Sequence, residues 1–297
     1  MNIIEYENYQ EKKSHGESQF PYITYPCSIP LDFPQVPLHW HDEMELIYIK
    51  KGHGIVTVDY SSYHVNAGDI IVIIPGRLHA IRQEPGFSME YENIIFQTQM
   101  LLPRQPDICT TDYFMPLFQN QLSIPEYLTP ELDCYDTAAY CLNRADVLCQ
   151  HRPPAYQIAV KAQLMEFFFT LFSAKPTEIM SKPQIPGTVK PHTLEKMKII
   201  LKYIENHYDE KITIEDVAQA CGFSQSHFMK FFKSVFGRPF IDYLKEYRLI
   251  MASRLLLTSS ATILEIAEKT GFDSLSYFNR SFKAMYGQTP REFRAKN

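Results

Sequence analysis

The residues with the clearest capacity for chemistry lie in the run HWHDEMELIYIKKG, residues 39 to 52. There His39, His41 and Glu45 fit the spacing H-x-H-x3-E-x6-G. Imidazoles and a carboxylate hydrogen-bond a polar ligand as donors and acceptors, and they also suit Zn, Ni, Mn or Fe. Positions 39, 41 and 45 share parity, so on one strand their side chains point to the same side while Trp40 faces away. A second run, GDIIVIIPGRLH at 68 to 79, ends in P-G-x2-H and supplies His79.

The elements that must position these residues are short and β-rich. Up to about residue 100 the pattern alternates: GIVTVDYSSYHV reads as a hairpin, and AGDIIVIIPGRLH as a turn, a buried strand and a second turn. Such spacing predicts a small barrel or sandwich. From about residue 130 the period becomes helical, in YDTAAYCLNRADVLCQ and YQIAVKAQLMEFFFTLFSA, separated by the breaker RPP. In the second segment Leu164, Phe167, Phe168, Leu171 and Phe172 cover more than one face. Packing on the barrel and packing on a second subunit both stay open. The stretch KPTEIMSKPQIPGTVKP, with four prolines, reads as a linker.

A chain of 297 residues, 45% hydrophobic and 21% charged, suffices for two soluble domains. It has no apolar run of the roughly 20 residues that span a bilayer. Its first residues, MNIIEYENYQEKKSHGE, have no apolar signal core, so a cytoplasmic protein without a membrane partner is expected. Six cysteines (Cys27, Cys109, Cys134, Cys141, Cys149 and Cys221) form no C-x-x-C pair, which fits reduced, packed thiols. No G-x-S-x-G or G-x4-G-K-[ST] motif supports hydrolase or phosphate-loop chemistry. Residues 1–192 hold 13 Lys+Arg and 22 Asp+Glu, a net of −9, whereas residues 193–297 hold 16 and 12, a net of +4. That asymmetry is expected if only the second part meets a polyanion.

The basic part contains itself twice. VAQACGFSQSHFMKFFKSVFG at 217–237 aligns with IAEKTGFDSLSYFNRSFKAMYG at 266–287, with one extra residue in the second copy. In each, a small Ala lets two helices approach, Gly supplies a φ > 0 turn four residues on, and a polar cap, Ser224 or Asp273, starts the next helix. The exposed face offers Gln225, Ser226, Met229 and Lys230 in the first copy. In the second it offers Ser274, Ser276, Tyr277, Asn279 and Arg280. These side chains suit base edges and phosphates. FIDYLKEYRLIMASRLLLT, free of Gly and Pro, reads as one helix that sets the two copies for successive major-groove segments, ~34 Å apart.

Residues 193 to 297 resemble the DNA-binding domain of the AraC/XylS transcription regulators. The resemblance rests on IAEKTGFDSLSYFNRSFKAMYGQTPREFR, its upstream copy, and YLKEYRLIMASRLL between them. It implies that Gln225, Ser226, Met229, Lys230, Ser276, Tyr277, Asn279 and Arg280 face operator DNA. Met229 departs from the usual polar residue and suits a thymine methyl. The two histidine runs together resemble the paired motifs of cupins, which would place His39, His41, Glu45 and His79 in one barrel. Regulators of this kind commonly bind a small effector there, often a sugar. Three readings therefore stand for the four residues: an effector pocket, which is preferred, a divalent metal site, and a set that satisfies its own hydrogen bonds.

The expected fold is α+β in two domains. Residues 1–175 form a cupin-like effector-binding and dimerisation barrel with accessory helices. A linker at 176–192 joins it to an all-α double helix-turn-helix at 193–297. The expected protein is not an enzyme but a homodimeric activator that binds an operator and, by the resemblance, RNA polymerase. It responds to a small molecule such as a carbohydrate, and its segment around Phe20, Tyr22 and Tyr25 is a candidate lid by analogy. The rival is a metal-dependent cupin dioxygenase or isomerase fused to a DNA-binding domain.

Overall fold

The computed structural model describes residues 19–59, 61–174 and 191–296. They fall into two units, the first within 19–174 and the second within 191–296. Most of the expected linker, residues 176–190, lies outside the described residues.

The first unit is built on eight strands: β1 (Tyr22–Ile29), β2 (Gln35–His39), β3 (Met44–Val58), β4 (Ser61–Asn66), β5 (Ile70–Ile73), β6 (His79–Gln83), β7 (Met89–Phe96) and β8 (Tyr127–Leu128). Strand β3 is long enough to serve two leaves. Its first part pairs with β5 and β7, and β1 and β8 extend that leaf; its second part pairs with β4 and β6, and β2 pairs β6. Among the described residues the hydrogen-bonded path does not run full circle, so the cupin-like barrel is an open sheet folded at β3.

One face of the first leaf, with Met44, Leu46, Ile70, Val72, Ile94 and Phe96, packs under helices α2 (Tyr135–His151) and α3 (Tyr156–Phe172), which follow the short α1 (Met115–Phe118). Leu164, Phe167, Phe168 and Leu171 enter this core at 1% exposure or less, each contributing about 1.5–3 kcal/mol. The residues that suggested a second subunit are thus largely consumed by the chain's own core. Tyr22 and Tyr25 are buried in β1, and the Phe20 ring packs tilted against Tyr22 and edge-on against Tyr156, so the expected lid is part of the sheet and its packing.

The second unit is helical: α4 (Pro191–His207), α5 (Ile214–Ala220), α6 (Gln225–Phe236), α7 (Phe240–Thr258), α8 (Ile263–Lys269), α9 (Leu275–Tyr286) and α10 (Pro290–Lys296). The repeat reaches further upstream than the aligned sequences, because Thr213 with Asp216 and Thr262 with Glu265 each close a capping box at the start of α5 and α8. A cap of this kind contributes about 1 kcal/mol. Helix α7 spans Phe240–Thr258 without a break between the two copies.

The two turn glycines are not equivalent. Gly222 (φ +68°) would place a Cβ in nearly open space, whereas at Gly271 (φ +76°) a Cβ would lie 2.4 Å from the Tyr208 carbonyl oxygen and 2.8 Å from the Arg248 guanidinium. Arg248 is itself fixed, donating to the carbonyls of Tyr208 and Glu210 at 2.7 and 2.6 Å. Gly222→Ala should therefore cost about 1–2 kcal/mol, the left-handed backbone penalty alone. Gly271→Ala must also displace backbone and should cost more, about 3 kcal/mol or above. Urea unfolding followed by far-UV circular dichroism checks this, and equal losses would refute the close-approach account.

Candidate ligand site and nucleic-acid interface

His39 closes β2 and His79 opens β6, directly opposite each other in the strand pairing with ring centroids 4.0 Å apart. Glu45 is the second residue of β3 on the other leaf, and residues 40–43 connect β2 to β3 without strand structure. The shared-parity expectation does not apply, because His39, His41 and Glu45 are not on one strand. They converge because the fold at β3 brings the leaves face to face.

The potential donor atoms of His39, His41, Glu45 and His79 lie within 4.8 Å of one another. One oxygen of Glu45 sits 2.7 Å from His41 Nε2 and 2.8 Å from His79 Nε2. Each ring is held from behind by a backbone carbonyl two residues away: His39 Nδ1 by Pro37 at 2.9 Å, His79 Nδ1 by Arg77 at 2.9 Å and His41 Nδ1 by Glu43 at 3.2 Å. A carbonyl can only accept, so these contacts put a proton on Nδ1 and turn each Nε2 toward the centre of the cluster. This is the orienting arrangement that metal-binding imidazoles use. His79 Nε2 is fully buried and, despite its closeness to Glu45, makes no hydrogen bond. Burial alone would raise the Glu45 carboxyl, but the His79 charge and the hydrogen bond from His41 outweigh it and hold the group well below the ordinary range. Burial, followed by repulsion from His79, pushes the His39 ring well below the usual imidazole value.

Three imidazole nitrogens and one carboxylate oxygen suit a first-row divalent ion, which needs donors at about 2.0–2.2 Å, so the widest separations in the cluster would close while the short Glu45–His contacts would open. Arg77, which the sequence did not single out, steadies the His79 turn. Its guanidinium bridges Asp59 at 2.5 Å and Glu126 at 2.8 Å. The face that carries Glu45 also carries Ile47, Ile49, Ile71, Ile73 and Ile95, and the facing leaf adds Val56, Val58 and Ile81. All of these are at 2% exposure or less. Among the described residues, the space behind the cluster is therefore filled by aliphatic side chains, and a sugar would have to displace them.

In the second unit, Phe228 and Phe232 of α6 and Phe278 and Phe282 of α9 are fully buried. Their burial turns Gln225, Ser226, Met229 and Lys230, and likewise Ser276, Tyr277 and Arg280, outward, with Asn279 partly exposed. The cap of α9 is Ser274, which accepts from the Tyr277 amide, rather than Asp273. Ser274 therefore matches Ser224 and is not a face residue, and the extra residue of the second copy is Asp273, in the turn. Leu275, which the sequence reading passed over, becomes the first residue of α9. Counting back from Phe278 rather than forward from Gly271 would have found it.

Comparison with known proteins now bears on these two surfaces. Residues 33–118 match the AraC-like ligand binding domain, and residues 217–296 match a helix-turn-helix domain. The chain is 25% identical over 298 residues to the HTH-type transcriptional regulator YdeC of Bacillus subtilis, covering 100% of this chain and 99% of that protein. It is 23% identical over 272 residues to the lactose operon transcription activator of Staphylococcus xylosus, covering 90% of each. It is 37% identical over 98 residues to the transposon Tn10 TetD protein of Escherichia coli, covering 33% of this chain and 71% of that one. Among the described residues no helix is long and apolar enough to cross a membrane. With a ligand-binding unit, a doubled helix-turn-helix and relatives that match it nearly end to end, the chain belongs to the AraC family of DNA-binding transcription regulators.

Proposed function

We propose that the chain is a homodimeric, sequence-specific activator of transcription and not an enzyme. Residues 1–175 sense a ligand and dimerise, 176–192 connect, and 193–297 bind the operator and meet RNA polymerase. The observation that carries the DNA part is the pair of outward faces on α6 and α9, each backed by two fully buried phenylalanines. The activator reading draws on the Staphylococcus xylosus relative, whose name records that role.

For the ligand, the orphaned Nε2 of His79 and the backbone-held Nδ1 atoms favour a divalent metal over an organic effector. His39, His41 and His79 would supply nitrogen and Glu45 oxygen to the ion. A carbohydrate effector is the second reading, favoured by the relative of the lactose operon, and the aliphatic filling behind the cluster weighs against it. That filling also leaves the rival metal-dependent dioxygenase or isomerase little room for a substrate. Ligand binding acts on transcription only by favouring one arrangement of the chain over another.

Dimerisation is assigned to the outer face of α3. There Ile158, Ala162, Met165 and Phe169 recur at spacings of four, three and four, the pattern of a helix–helix seam. Ile158 is 73% and Phe169 63% exposed.

Arg280→Ala should weaken binding to the preferred duplex roughly tenfold and flatten its salt dependence by the loss of one cation; an unchanged salt slope would count against a phosphate or base contact. Full-length protein dialysed against Zn2+ should retain one ion per chain. At 100 times the dissociation constant that ion should add about 2.7 kcal/mol of stability, reversed by chelator. Trp40, between two of the ligands, reports the titration by fluorescence, and Glu45→Gln should abolish both signals. Equal metal retention by the variant would sink the assignment. Phe169→Asp should shift the sedimenting species from dimer to monomer; no change in mass removes α3 from the interface.

A further inference from the structure

With the inserted residue placed at Asp273, the two recognition helices come into phase. Their first positions are Gln225 and Leu275, their second Ser226 and Ser276, their fifth Met229 and Asn279, and their sixth Lys230 and Arg280. The first and fifth positions are four residues apart and lie on one stripe of a helix, about 40° apart in rotation. In α6 that stripe runs amide then aliphatic, Gln225 then Met229. In α9 it runs aliphatic then amide, Leu275 then Asn279.

Met229 and Leu275 are 47% and 37% exposed, large values for apolar side chains in helices whose inner phenylalanines are wholly buried. Among the described residues, no side-chain hydrogen bond ties the amide of Gln225 or of Asn279. Two unengaged amides and two unburied aliphatic chains thus stand at the leading ends of the helices, the part of a recognition helix that contacts base edges. A side-chain amide pairs with the N6 and N7 of adenine, and an aliphatic side chain matches the C5-methyl of thymine.

We infer that the two helices read the same two base types in opposite order, adenine by Gln225 and Asn279 and the thymine methyl by Met229 and Leu275, with Leu275 a specificity-determining residue of the second half-reader. The inference rests on the DNA-facing assignment of α6 and α9 and adds to it which atoms of the duplex each stripe recognises. The swapped order makes the preferred duplex differ between its two segments even though the motifs are copies, so a single chain has one productive orientation on DNA.

The test uses the full chain and a duplex enriched by it from a random library. Each thymine of that duplex is replaced singly by deoxyuridine, which removes the methyl and nothing else. Two or more replacements should weaken binding about fourfold, the ratio expected for one buried methyl. Leu275→Ala should erase the penalty at one position and keep it at the other, and Met229→Ala should do the reverse. Leu275→Gln, which keeps a long side chain at this exposed position, should move the selected base there from thymine to adenine. The inference is overturned if Leu275→Ala retains every deoxyuridine penalty, or if Leu275→Gln enriches the same sequence as the parent protein. Failure of the parent chain to enrich any sequence would instead remove the DNA-facing assignment, and this inference with it.

Discussion

A carboxylate at 1% exposure organises the first unit. Glu45 can stay ionised there only if partners replace the water it has lost, because an uncompensated buried charge costs several kcal/mol. The partners, His41 and His79, come from outside its own strand. The His79 charge, together with the hydrogen bond from His41, holds the carboxyl down. Satisfying Glu45 therefore requires that β3 fold over and that the turn before β6 stay where it is. The second requirement explains Arg77, clamped between Asp59 and Glu126 while its carbonyl orients His79. Two arginine contacts thus fix an imidazole they do not touch.

In the second unit the organising constraint is steric. Copying a helix-turn-helix copies its caps and its glycine, yet the second copy must also dock on what precedes it. Gly271 lies against the Tyr208 carbonyl and the Arg248 side chain, an approach that a Cβ would block, while Gly222 has no such neighbour. Arg248 belongs to α7, the helix between the copies, and its hydrogen bonds reach back to the loop before α5. The joint between the motifs is therefore built from one arginine and one missing methyl, which ties the spacing of the two recognition helices to the chain's own packing.

Helix α3 shows how one apolar segment serves two ends. Its buried stripe, Leu164, Phe167, Phe168 and Leu171, completes the core under the sheet. Its outer stripe, with Ile158 and Phe169, stays exposed. A largely apolar composition hid this division, because periodicity weakens when both faces are hydrophobic.

The sequence by itself determined the composition of each site. Local rules sufficed for the alternation of the strands, the helical period after residue 130 and the doubled motif with its glycines, while the resemblance to the paired cupin motifs implied the grouping of His39, His41, Glu45 and His79. The first three depend on neighbours within a few residues or on a motif repeated in the same chain. Tertiary structure decided how the pieces meet. It opened the expected barrel, since closure depends on pairing between distant strands. It replaced same-strand parity with convergence across two leaves, and it consumed Tyr22 and Tyr25 in the sheet. It also moved the cap of α9 from Asp273 to Ser274, a one-residue choice between two competent polar side chains. What marks the choice is the Tyr277 amide, which donates to Ser274 Oγ.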